Sequence, residues 1–66
     1  MKMKTEDALA HFNGNGAKVA EAARVSRQAV HKWGEYVPEI SAYYIALATA
    51  GALVFDEEAY KRRART

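Results

Sequence analysis

The 66-residue chain has no cysteine, so it has no disulfide framework, and a reducing compartment is the simple reading. Zinc stapling is not expected either, because the two imidazoles, His11 and His31, stand far apart in sequence with no thiolate beside either. Long apolar runs are missing as well. The uncharged stretch "ISAYYIALATAGALVF" (40–55) falls short of the roughly 20 residues that span a bilayer, and Ser41, Thr49 and Gly51 interrupt it. It reads as buried core, not as a membrane segment. The opening "MKMKTEDALA" lacks the apolar centre of a secretory signal. No repeat, low-complexity tract or linker divides the chain, so one domain is expected. A domain this small buries only about 60% of its unfolded surface. Packing must therefore supply the stability, with a second subunit as the natural supplement.

Charge is present, but unevenly. Ten Lys/Arg against eight Asp/Glu give a formal +2, yet residues 17–33 carry Lys18, Arg24, Arg27 and Lys32 against Glu21 alone. A second basic cluster, "AYKRRART", ends the chain behind the acids "DEE" at 56–58. Local positive patches on a nearly neutral chain point to an anionic partner.

Punctuation residues divide the chain into five short helices. Thr5, followed by Glu6 and Asp7, reads as the cap of a first helix with Ala8, Leu9 and Phe12 on one face. "NGNG" (13–16) stops it. Asn15 then caps a second helix running to about Ala23, and Ser26 caps a third that ends at Gly34 in a left-handed C-terminal conformation. Pro38 is expected in the first turn of a fourth helix, 38–50, closed by Gly51. Asp56 caps a fifth, 56–63, that leads into the basic tail 61–66. "ALVF" (52–55) has the apolar character of a strand but no visible mate.

Within 16–35 only "ARVS" separates helices two and three, a connection so short that they must cross steeply, as in a helix-turn-helix. Small Ala20 sits where the two backbones approach, and Val19, Val25, Val30 and Trp33 stand where the unit needs apolar ties to the body. At about 100° per residue from Arg27, His31, Gln28 and Lys32 fall near 40°, 100° and 140°, while Trp33 and Val30 fall near 240° and 300°. The polar set therefore shares one side. Its chemistry suits nucleotide edges: arginine forks onto guanine O6/N7 and glutamine pairs with adenine N6/N7. No acid occurs between Glu21 and Glu35, which favours a polyanion over a merely solvated face.

The segments "AKVAEAARVSRQAVHKWG" (17–34), "VPE" (37–39), "AYYIALATAGAL" (42–53) and "EEAY" (57–60) resemble the Cro repressors of lambdoid temperate bacteriophages, in their all-helical branch. The resemblance covers nearly the whole chain. It implies an all-α, lambda repressor-like helix-turn-helix domain that binds double-stranded operator DNA and represses transcription, with helix three in the major groove. Carried over by position, Arg27, Gln28, His31 and Lys32 read bases, while Asn15, Gly16, Ala17, Lys18, Arg24 and Ser26 contact phosphates. Two departures stand out. Gly16 occupies a place where glutamine is frequent, which removes a side-chain clamp, and Arg24 occupies a turn position where glycine is common.

A lone recognition helix covers too few base pairs for selectivity, and such modules normally pair on half-sites about 34 Å apart. Helix four is apolar nearly all round, which leads to a weak homodimer, completed on DNA, through Tyr44, Ala46, Leu47, Val54 and Phe55. No catalytic pair or metal cluster is visible, so neither an enzyme, a cofactor nor a small-molecule ligand is expected. The expected location is the bacterial host cytoplasm, on the nucleoid. The rival reading is a helix-turn-helix module for protein–protein interaction, such as an accessory or antitoxin-like regulator. That module would show a shallow salt dependence where specific DNA binding is steep.

Overall fold

Two capping side chains begin the central pair of helices. In the computed structural model, which describes residues 1–61, Asn15 Oδ1 accepts from the Ala17 and Lys18 amides at 3.0 and 3.2 Å and opens α2, Gly16–Ala23. Ser26 Oγ accepts from the Ala29 amide at 3.1 Å and opens α3, Arg27–Lys32. Each cap satisfies amides that the first turn of a helix otherwise leaves unpaired. Helix α1, Thr5–His11, precedes this pair, and α4, Glu39–Ala48, follows it. Last comes α5, Glu57–Lys61, where Asp56 Oδ1 accepts from the Ala59 amide at 3.2 Å. No strand forms among the described residues; one isolated antiparallel bridge joins Lys4 to Tyr36. The fold is all-α, as expected from the sequence.

Helix α2 is the centre of the packing. It turns Val19, Ala20 and Ala23 inward and lies chiefly on α4 and α3. Ile45, Val19 and Val37 are the largest fully buried side chains, joined in the core by Ala8, Val30 and Ala42. Val25 and Trp33, both half-buried, pack against that core and tie the ends of α3 to the body. The connection between α2 and α3 turns sharply at Arg24, whose φ of 62° and ψ of 42° are left-handed. The Val25 amide reaches back to the Ala20 carbonyl at 3.0 Å, the hydrogen bond of a left-handed helix stop.

Helix α5 closes the other side. The Tyr60 hydroxyl, buried, donates to the Val37 carbonyl at 2.6 Å and accepts from the Met3 amide at 3.1 Å. Met3 and Val37 are themselves joined, Val37 N–H to the Met3 carbonyl at 2.8 Å. Phe55 stacks on Tyr60 with ring centroids 5.5 Å apart, and Tyr43 meets Phe55 edge-on. The Met1 ammonium pairs with the Asp56 carboxylate.

Several boundaries differ from the sequence reading. Thr5 is not the cap of α1; it is the first helical residue, behind Lys4, and its hydroxyl donates to the Gly34 carbonyl at 2.9 Å. A tertiary acceptor has taken the hydroxyl that local logic assigned to the cap. Gly34 is not left-handed: α3 stops at Lys32, and Trp33 is already extended at φ −64°, ψ 141°. That extension lets the chain run on to pair with residues 3–5, with the Thr5 amide donating to the Glu35 carbonyl at 2.9 Å. Pro38 lies at the cap of α4, one residue ahead of its first turn. Helix α4 ends at Ala48, before the expected Ala50; Thr49 caps this end, its hydroxyl donating to the Ile45 carbonyl at 2.9 Å and accepting from the Leu53 amide at 3.2 Å. Ala50 and Gly51 both then take positive φ, 54° and 88°. Residues 52–55 are irregular chain. The final stretch of the expected fifth helix and most of the basic tail, 62–66, lie outside the described residues.

Candidate nucleic-acid interface

The six residues of α3 and its C-cap Trp33 separate cleanly by burial. Val30 is buried at 5% exposure, Ala29 and Trp33 are half-buried, and Arg27, Gln28, His31 and Lys32 are all exposed. The apolar flank is held by the core while the polar flank stands in solvent. Arg27 and His31 border a shallow depression with Gly14 and Gly16, together with Thr5, Leu9, Val30 and Trp33. The start of α2 is thereby set beside the exposed face of α3. A side chain added at Gly16 would meet nothing within 4 Å, so this edge is open backbone.

The expected phosphate contacts are divided. Asn15, Gly16 and Ala17 lie at the mouth of α2, where the helix dipole and the leading amides favour an anion. Asn15 spends its carbonyl oxygen on the cap, which leaves its amide N–H groups to donate outward. Ser26 likewise accepts from Ala29 and keeps its O–H. Lys18 and Arg24 instead line a second depression, against α4, with Glu21, Tyr44 and Leu47. There the Arg24 guanidinium stacks on the Tyr44 ring, 4.4 Å from its centroid. Tyr44 as a platform was not foreseen; nothing in local spacing links residues 24 and 44. None of Lys18, Arg27 and Lys32 forms an ion pair among the described residues. With no acid between Glu21 and Glu35, the cations of α3 have no carboxylate on their own helix.

The expected pairing surface also changes. Of the five residues named for it, Leu47 and Val54 are exposed, whereas Tyr44, Ala46 and Phe55 are half-buried in the chain's own packing. Ile40 and Tyr43, absent from that set, are exposed and continue the patch. Their i, i+3, i+7 spacing with Leu47 was visible in the sequence. No described helix is long and apolar enough to cross a membrane.

Comparison with known proteins identifies the family. Residues 4–64 match the model of a family described as DNA-binding transcriptional regulator Cro. The chain is 42% identical over 62 residues to the regulatory protein cro of Salmonella phage P22, covering 94% of this chain and 100% of the relative. No solved structure matches it. A family match over nearly the whole chain joins an all-helical fold that displays an acid-free polar helix: the chain belongs to the phage Cro family of DNA-binding transcriptional repressors.

Proposed function

We propose that α3 enters the major groove of duplex operator DNA and that Arg27, Gln28, His31 and Lys32 read base edges there. The observation that carries this reading is the division of α3 into a core-anchored flank at Val30 and a fully exposed flank bearing those four side chains. Arginine and glutamine have matching donor–acceptor pairs on guanine and adenine. The register is fixed by phosphates bound at the mouth of α2, through Asn15 and the backbone of Gly16 and Ala17, with the Lys18 ammonium on the neighbouring depression and the Ser26 hydroxyl at the groove's edge. Arg24 joins this set when its guanidinium leaves the Tyr44 ring. The protein acts in the bacterial cytoplasm, on DNA of the host nucleoid or the phage.

Selection of duplexes from a random pool, followed by titration of the enriched sequence, tests this. Arg27→Ala should lose about 1–3 kcal/mol of discrimination at one base pair, while Lys18→Ala weakens all duplexes about equally. A uniform loss for Arg27→Ala places that residue on phosphate and refutes its role as a reader.

Two copies bind one operator through the exposed patch of Ile40, Tyr43, Leu47 and Val54, with Tyr44, Ala46 and Phe55 at its half-buried margin. Four large apolar side chains in water on so small a domain support a partner of the same kind. Sedimentation with and without the selected duplex decides it; one protein per operator at saturation rules the dimer out.

A further inference from the structure

Residues 2–4 form no part of the helix-turn-helix, yet the fold fastens them to the segment that leaves α3. The Val37 amide donates to the Met3 carbonyl at 2.8 Å, the Thr5 amide donates to the Glu35 carbonyl at 2.9 Å, and Lys4 and Tyr36 form an antiparallel bridge between them. The Thr5 hydroxyl on the Gly34 carbonyl extends the same seam by one residue. Side chains alternate along an extended segment. Met3 is buried at 6% exposure, and Lys2 and Lys4, both half-buried, alternate to the other side of the segment. The Lys2 ammonium lies 5.8 Å from the centroids of both the Tyr36 and Tyr60 rings. Neither lysine forms an ion pair among the described residues, although Glu6, Asp7 and Glu35 are close in sequence or across the seam.

We propose that Lys2 and Lys4, with the exposed Tyr36 beside them, form a second phosphate-binding station on duplex DNA, flanking the C-terminal end of α3. The mouth of α2 grips the backbone beside Arg27 and His31; this station, on a separate depression that Lys2 and Lys4 line with Glu6 and Asp7, grips it beyond the segment that leaves α3. Its place is set by Thr5, which borders the depression holding Arg27 and His31 while its backbone is tied to Glu35. The station also answers a problem of charge. Glu35 ends the acid-free stretch at the point where α3 has just closed, and the seam lays two cations alongside it. Aromatic rings beside Lys2 hold its stem without consuming its charge, because attraction to a ring face leaves the ammonium's N–H groups free for an anion. The inference rests on the proposed DNA reading, and its contacts are sequence-independent.

The test is the salt dependence of binding, measured on a duplex enriched from a random pool and on an unrelated duplex. Each lysine–phosphate contact contributes about 0.9 to the slope of log Kd against log salt. Lys2→Gln with Lys4→Gln should lower that slope by nearly 2 on both duplexes, and weaken binding roughly fivefold per lysine at 0.15 M salt. The ratio between the two duplexes should stay unchanged. Lys2→Arg with Lys4→Arg, which keeps both charges, should restore the wild-type slope. A wild-type slope in the glutamine variant overturns the station while leaving α3 as the reader. An equal loss in the arginine variant assigns the effect to folding and overturns it as well. If the wild-type protein itself shows a flat slope and no preferred duplex, the underlying DNA reading falls first.

Discussion

Tyr60→Phe removes a single oxygen, and the structure assigns that oxygen two buried partners. It donates to the Val37 carbonyl at 2.6 Å and accepts from the Met3 amide at 3.1 Å, on a residue only 2% exposed. The phenylalanine ring fills the same space, so the loss is polar and not volumetric. Each buried backbone group left unpaired costs about 1–3 kcal/mol, and partial relaxation of the pair brings the total to roughly 2–4 kcal/mol. A 66-residue domain has about 3–10 kcal/mol in total at 0.05–0.15 kcal/mol per residue. The variant should therefore lose a large part of its stability, a fall in Tm of roughly 10–30 °C for a domain of this size. Urea unfolding followed by circular dichroism measures it directly: the midpoint drops while the slope m holds. Tyr43→Phe is the control, since Tyr43 is 48% exposed, and it should change stability by less than about 0.5 kcal/mol. A Tyr60→Phe variant within about 1 kcal/mol of the wild type, at unchanged m, would refute the claim that this hydroxyl fastens α5 to the Met3–Val37 seam.

Arg24→Gly relieves a left-handed residue by about 1–2 kcal/mol, but forfeits a cation–π contact worth about 0.5–1 kcal/mol and adds unfolded-chain entropy of about 0.4–1 kcal/mol. A net gain of at most about 1 kcal/mol is expected, larger in a Tyr44→Leu background where the ring is already gone; a lower Tm in both backgrounds defeats the reasoning, and weaker operator binding by the single variant would report a phosphate contact. Gly34→Ala should stabilise by about 0.4–1 kcal/mol, because Gly34 has no positive φ and its added Cβ meets nothing within 4 Å; a destabilised variant in the same urea assay contradicts that geometry. Asp56 has its carboxyl held below the usual 3.8, first by the hydrogen bond from the Met1 ammonium and then by that from the Ala59 amide. A depressed folded pKa contributes stability above the unfolded value that is lost as pH falls through the folded one. Asp56→Asn should therefore flatten the acid limb of the stability profile below about pH 4, and an unchanged limb in acid titration disproves the coupling.

Much of the fold was legible because its signals are local. Asn15 and Ser26 cap helices through hydrogen bonds to amides two or three residues ahead, a reach that depends on nothing else in the chain. The split of α3 into an anchored flank and an exposed one follows from the helical repeat alone. The left-handed turn at Arg24 was anticipated only through the family resemblance, which puts glycine commonly at that position; local spacing required a steep crossing but named no residue for it. What the tertiary structure decided involves partners distant in sequence. Thr5 gives its hydroxyl to Gly34 and not to its own helix, Trp33 extends so that residues 35–37 can pair with 3–5, and Tyr60 closes that seam. The stacking of Arg24 on Tyr44, and the turning of Tyr44 and Phe55 inward while Ile40 and Tyr43 face water, belong to the same class. Caps and periodicity are set by neighbours along the chain; which of several competent donors, rings and apolar faces meet is set by how the helices pack, and that is fixed only when all of them pack together.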